Sequence, residues 1–270
     1  MITSTSNARV KDLIQIQKKA KVRNERDVFV TEGSKMFRET PPERLLETFV
    51  SESFYRREQQ LFDGGRPVTV LSDRVFESVS DTRTPQGVLC VVRQFHYQLE
   101  DLMTGRISTV SGAPLLIALE NLQDPGNLGT ILRTAEGAGV TGILLGPGCV
   151  DIYNSKVIRS TMGSVYRMPF YYTEDLRRDL LVLREKGVRW YAAHLEGSVP
   201  YDDIPYDGAC GFLIGNESRG LTAETAALAD QSVRIPMCGQ VESLNASVAA
   251  SVLMYEANRQ RRKTGQIVDI

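Results

Sequence analysis

The chain has little from which to build a metal centre or a disulfide framework. Its four cysteines, Cys90, Cys149, Cys210 and Cys238, are spread widely with no Cys-x-x-Cys pair, and its two histidines, His96 and His194, lie far apart. Neither a zinc site nor a set of disulfides is expected, and no metal is called for. No stretch approaches the roughly 20 apolar residues that cross a bilayer, and the first residues lack the apolar core of a signal peptide. The expectation is a cytoplasmic protein with reduced thiols, in which the Asn-x-Ser sequons at Asn216 and Asn245 carry no glycosylation meaning. Excess charge is also missing. A formal net charge of -1 argues against coating nucleic acid by bulk charge, and leaves local basic clusters to form any binding face. A Gly-x-Gly-x-x-Gly dinucleotide pattern is absent too: in DPGNLGTILRTAEGAGV the glycines fall at 126, 129, 137 and 139, with an arginine among them.

What is present is an ordinary globular composition, 270 residues with 42% hydrophobic and 24% charged, enough for one large domain or two smaller ones. Residues 1–100 alternate helix and strand signals, beginning with a polar helix near 7 to 22, and read as a small α/β unit. Residues 101–113 lose periodicity and read as a linker. From 114 to 270 near-continuous apolar runs such as PLLIALENL, TGILLG and CGFLIG alternate with helical stretches, the pattern of a mostly parallel sheet covered by helices. A last helix is expected over about 246–262.

The glycine-rich stretch resolves as a helix from Leu128 to about Ala138, capped by Asn127 and stopped at Gly139. Leu128, Ile131, Leu132, Ala135 and Ala138 fall on one apolar stripe. Arg133 points away from it, over the small neighbours Gly129, Thr130 and Gly137. Alone it is a surface arginine. Two further segments, FLIGNESRGL and IPMCGQVESLNASVAASVLMYEA, follow in order, each at or just beyond a strand end, where α/β sheets bind ligands.

At these three segments, over roughly residues 114 to 262, the chain resembles the SpoU (TrmH-like) family of RNA ribose 2′-O-methyltransferases within the SPOUT class. The stretch FVTEGSKMFRE in the N-terminal unit is similar to the ribosomal-protein-like substrate-binding domain that many members carry. The resemblance implies S-adenosylmethionine as cofactor, a homodimer formed through the methyltransferase domain, and a C-terminal trefoil knot. It places catalytic roles on Asn127, Arg133, Glu217, Ser243 and Asn245, and cofactor contacts on Gly215, Asn216, Ile235, Met237, Leu244 and, at the end of WYAAHL, Ala193. Read as residues alone, Asn127, Ser243 and Asn245 are also ordinary helix caps, Glu217 is a carboxylate able to anchor Arg133 or Asn127, and His194 is structural.

Two basic clusters suit RNA. Lys156 and Arg159 stand three apart on one helical face, close in sequence to the motif strands. Between Arg9 and Arg26 the chain carries Arg9, Lys11, Lys18, Lys19, Lys21, Arg23 and Arg26 against Asp12 and Glu25. Large-subunit ribosomal RNA is the preferred substrate, because the extra N-terminal domain resembles that of family members acting on that RNA. Transfer RNA, base rather than ribose methylation, and a non-catalytic assembly factor stand as alternatives.

Overall fold

The computed structural model describes residues 1–62, 68–104, 112–194 and 198–267. Up to residue 95 the chain forms α1 (Ala8–Lys18), α2 (Ala20–Arg26), β1 (Val28–Glu32), α3 (Ser34–Glu39), β2 (Leu45–Ser51), α4 (Glu52–Arg57), β3 (Val68–Leu71), α5 (Asp73–Val79) and β4 (Val88–Arg93). It continues through α6 (Asp101–Thr104), β5 (Leu115–Leu119), α7 (Pro125–Ala138), β6 (Gly142–Leu145), α8 (Ser155–Thr161), β7 (Phe170–Tyr172), α9 (Leu176–Glu185) and β8 (Arg189–Ala193). The short β9 (Val199–Pro200) precedes β10 (Cys210–Ile214), α10 (Ala223–Ala226), β11 (Gln231–Arg234) and α11 (Ala246–Lys263). Of the stretch read as a linker, residues 105–111 lie outside the described residues, and α6 occupies its start.

Contacts divide the chain into two units, residues 1–95 with 151–166, and residues 96–150 with 167–270. Periodicity gives no sign that 151–166, inside the second half of the sequence, packs in the first unit. Side chains explain it. The Tyr153 ring lies 4.5 Å from that of Phe29, the Tyr153 hydroxyl accepts the Phe95 N–H at 2.7 Å, and Arg23 pairs with Asp151.

In the first unit the strand order is β1-β4-β2-β3, with β2 and β3 parallel and the other pairs antiparallel. Alternation along β1 sends Val28 and Val30 toward a core with Val10, Leu13 and Ile16 of α1 and Val75, Phe76 and Val79 of α5. Phe29, the residue between, meets Tyr153, Phe95 and Tyr166 on the other side. The single helix expected near 7 to 22 is two. Lys19 takes an extended conformation, φ -117°, and α2 ends where Asp27 enters the left-handed region at φ 58°.

The second unit is a seven-stranded, wholly parallel sheet in the order β7-β6-β5-β10-β8-β11-β9. Both central strands, β5 and β10, are buried throughout, as their unbroken apolar runs require. Strands β6 and β7 extend the sheet from one side of β5, and β10, β8, β11 and β9 from the other. The crevice beyond the carboxyl ends of the central strands is thus where a ligand is expected. Gly211 is needed here because a Cβ would sit 2.3 Å from the fully buried Trp190 ring.

Candidate cofactor and RNA site

The glycine-rich helix starts earlier than its pattern suggested. Asp124, not Asn127, is the N-cap of α7, its carboxylate accepting the Asn127 N–H at 2.7 Å, and Pro125 fills the first turn, where a missing N–H costs nothing. Gly139 ends the helix at φ 80°, as expected. Relieved of capping, the buried Asn127 side chain turns to other partners. Its Nδ2 donates to Glu217 at 3.1 Å, and its Oδ1 accepts from Nδ2 of Asn245 at 2.9 Å. Asn245 is itself the cap of α11, its Oδ1 taking the Ser247 N–H at 2.9 Å. One residue from each of the three motif segments thus joins a single hydrogen-bonded chain.

Glu217 anchors Asn127 rather than Arg133. It also accepts the backbone N–H groups of Asp124 at 2.8 Å and Gln123 at 3.2 Å. Burial raises its pKa, but the hydrogen bonds from Asn127 and from the Asp124 and Gln123 backbone outweigh that and hold the carboxyl below its ordinary value.

Beside this chain a cavity of about 440 Å³ opens at the carboxyl ends of β8, β10 and β11. Ile214, Leu221, Val233 and Leu253 give it apolar walls. All six residues read as cofactor contacts, Ala193, Gly215, Asn216, Ile235, Met237 and Leu244, line it. Glu217, Ser243 and His194 line it as well, while Asn127 and Asn245 are outside the lining and joined to Glu217 through the hydrogen-bonded chain. Arg133 is not part of the lining. It lies exposed, six residues past Asn127 on α7, without a hydrogen bond or ion pair among the described residues.

Gly215 serves the chain's own path, because a Cβ there would fall 2.1 Å from the Gly220 carbonyl carbon and 2.2 Å from the Leu221 nitrogen. Asn216 pairs with Gly220 through both backbone groups, at 3.0 and 2.9 Å. Its Oδ1 takes the N–H groups of Ser218 and Arg219, and its Nδ2 reaches the Asn121 carbonyl at 2.9 Å. Asn216 therefore shapes the loop that it presents to the cavity.

Sequence reasoning missed Asp124, legible in the Asp-Pro pair, and Glu120, whose carboxylate takes the Thr222 N–H at 2.7 Å and its hydroxyl at 2.8 Å. Nothing in the sequence pairs Glu120 with a residue about a hundred positions later.

The basic clusters are partly spent on the fold. Arg9 pairs with Glu47, Arg26 with Asp12 at 2.5 Å and Lys21 with Glu25 at 3.8 Å. Arg23 is buried, donating to the carbonyls of Ile16 and Gln17 as well as to Asp151. Lys11, Lys18 and Lys19 are exposed and have no ion pair among the described residues. Lys156, exposed, and Arg159, 3.9 Å from Asp81, sit on α8 and so belong to the same unit as α1, despite their closeness in sequence to the motif strands. Among the described residues, no helix is long and apolar enough to cross a membrane, and no cluster of three or more His, Cys, Asp or Glu could hold a metal.

Known proteins resemble this chain in sequence and in fold. The MRM3-like substrate binding domain matches residues 7–90. A 23S rRNA (guanosine(2553)-2′-O)-methyltransferase, RlmP, of Bacillus subtilis is 33% identical over 256 residues, covering 94% of this chain and 97% of the relative. A 23S rRNA (guanosine-2′-O-)-methyltransferase, RlmB, of Xanthomonas axonopodis is 32% identical, covering 76% and 82%. The crystal structure of an AdoMet-bound rRNA methyltransferase from Sinorhizobium meliloti superposes with a TM-score of 0.82 at 30% identity, over 96% of this chain and 97% of that one. The SpoU rRNA Methylase family itself matches residues 114–255, the stretch that carries all three hydrogen-bonded motif segments and the cavity beside them, and the chain belongs to that family.

Proposed function

We propose that the chain transfers a methyl group from S-adenosylmethionine to the ribose 2′-hydroxyl of a guanosine in large-subunit ribosomal RNA, acting in the cytoplasm as a homodimer with a C-terminal trefoil knot. The observation that carries this reading is the chain from Glu217 through Asn127 to Asn245 beside a cavity lined by Gly215, Ile235 and Leu244. The cavity fits the cofactor. Its volume falls in the range of about 300–1,000 Å³ usual for such ligands, and it offers apolar walls to an adenine with a few polar groups at the rim. When bound, the cofactor supplies an electrophilic methyl group on a sulfonium.

The chain's own residues then position the acceptor. Asn127 keeps one Nδ2 hydrogen beyond the one given to Glu217, and so has a donor for the sugar. Glu217, already accepting several N–H groups, is a fixed anchor rather than a base. Arg133, exposed and without an ion pair among the described residues, orients the 2′-hydroxyl and its neighbouring phosphate. A guanidinium is far too basic to take the proton itself. In the homodimer Arg133 reaches the partner's cavity, since it does not line its own. The exposed apolar side chains of Val248 and Tyr255 on α11, which packs against α7, support an interface on this face. Lys11, Lys18, Lys19, Lys156 and Arg159 hold the RNA backbone.

The likeness to RlmP over nearly the whole chain, including the region matched by a substrate-binding domain, favours ribosomal over transfer RNA. The test maps ribose methylation in large-subunit RNA from cells with and without the protein. One guanosine linkage is expected to lose its resistance to alkaline cleavage when the protein is removed and to regain it on re-expression. A lost base methyl group instead sinks the reading.

A further inference from the structure

The geometry points to Arg219 as the residue that binds the carboxylate of the cofactor's amino-acid tail. The inference rests on the cofactor reading above and assigns a place within that cavity to one of the ligand's three charges. S-adenosylmethionine carries a sulfonium, an α-ammonium and an α-carboxylate. Apolar walls suit its adenine, but a carboxylate leaving water needs donors, best a charged and bidentate one.

Two arginines line the cavity, Arg219 and Arg234. Arg234 is engaged, its Nη1 donating to the Ser198 carbonyl. Arg219 is exposed and makes no side-chain hydrogen bond or ion pair among the described residues. Its backbone, in contrast, is fixed. Residues 217–219 span the bridge between Asn216 and Gly220, and the Arg219 N–H is held by Oδ1 of Asn216 at 3.2 Å. The loop commits Glu217 to the start of α7 and leaves the Arg219 guanidinium at the cavity without a partner among the described residues. A planar fork on a rigid base matches a carboxylate better than the ammonium of a lysine does.

An anionic oxygen at this position has a second source, the phosphate of the RNA, so the test is run without RNA. Calorimetry on the full chain compares S-adenosylhomocysteine with 5′-methylthioadenosine, a nucleoside that lacks the amino-acid tail. Arg219→Ala is expected to weaken S-adenosylhomocysteine about tenfold, the scale of one charge-assisted pair at an open rim, while leaving methylthioadenosine unchanged. Arg219→Lys recovers part of the loss. Unchanged affinity for S-adenosylhomocysteine in Arg219→Ala overturns the assignment, and with a raised KM for RNA it gives the guanidinium to phosphate. An equal loss for both nucleosides also overturns it, showing a loop that only shapes the cavity. If the wild-type chain binds neither compound, the cofactor reading itself fails, before any variant is made.

Discussion

Asn245 donates from Nδ2 to Oδ1 of Asn127 at 2.9 Å, across 118 positions of sequence. The contact ties the cap of α11 to the first turn of α7, and Glu217 completes the link by taking the Asn127 Nδ2 hydrogen at 3.1 Å. An amide in the middle is suited to this because it accepts on one side and donates on the other. An aspartate at 127 would lose the donor to Glu217 and set two carboxylates against each other.

Replacing Glu217 tests the anchor. Glu217→Gln substitutes a donor for one of the two oxygens that face the Asp124, Gln123 and Asn127 N–H groups, and is expected to cost about 1–3 kcal/mol with a large loss of methyl transfer. The folded-state pKa of Glu217 is depressed, so its ionised form contributes stability above the unfolded carboxylate value of about 4.3, and the contribution is lost as pH falls through the folded value. Urea unfolding should therefore show the wild type ahead of Glu217→Gln at neutral pH, with the gap closing in acid. A gap independent of pH would contradict the anchoring role.

Arg133 has no hydrogen bond or ion pair among the described residues, and its removal should spare folding. Arg133→Ala is expected to lower methyl transfer by 100-fold or more while changing affinity for S-adenosylhomocysteine by less than about twofold. Mixed after refolding with Asn127→Ala subunits, it should regain about a quarter of wild-type activity, because half the dimers would then carry one site with both residues intact. No recovery on mixing would place Arg133 and Asn127 in the same subunit's site.

The two classes of basic residue along α1, Lys19 and α2 should separate in the laboratory. Lys18→Ala with Lys19→Ala is expected to raise the KM for RNA and flatten its salt dependence by about one to two phosphate contacts, with thermal stability unchanged. Arg23→Ala should instead lower stability, since it removes the donor to two backbone carbonyls and strands Asp151. Equal effects on RNA binding would restore the view of one undivided basic patch.

The sheet and the site were legible to different depths. Unbroken apolar runs at 115–119 and 210–214 announced buried parallel strands, because only burial on both faces tolerates such runs. Local pattern placed the motif segments at strand ends and helix caps, but read alone their polar residues are ordinary caps; their roles at a cofactor and an RNA came from the resemblance to the SpoU family. The place of 151–166 in the first unit was not readable, since it depends on Tyr153 meeting Phe29 and Phe95, and aromatic packing leaves no periodic trace. The true cap of α7 was hidden by a nearby rival, for Asp124 and Asn127 are both good caps and only the observed hydrogen bond separates them.

Arg261 sets a different test, of stability. Fully buried near the end of α11, its guanidinium donates to the carbonyls of Ala113, Pro114, Tyr206 and Gly208, at 2.6 to 3.1 Å. It thereby satisfies the chain entering β5 and the loop before β10 from one helix. Arg261→Met keeps much of the volume but leaves those acceptors without donors, and should cost about 3–5 kcal/mol in chemical unfolding. Arg261→Lys should recover little, since one ammonium cannot span the same set. Near-wild-type stability in Arg261→Met would mean that the carbonyls find other partners.

Thiol reactivity gives a readout of the cavity that needs no RNA. Burial pushes the thiols of Cys149 and Cys210 up to about 11, and Cys90 is buried. Thiolate is then scarce at Cys149 and Cys210 in mild alkali, while Cys238 is exposed and follows the cavity-lining Met237. Iodoacetamide at pH 8 should label Cys238 first in the native protein, with the other three reacting after unfolding. S-adenosylhomocysteine should slow that labelling several-fold if the segment around Met237 closes on bound cofactor, and a Cys238→Ser variant should remove the signal without loss of ligand affinity. Labelling at an unchanged rate under saturating ligand would show that this segment stays open when the cavity fills.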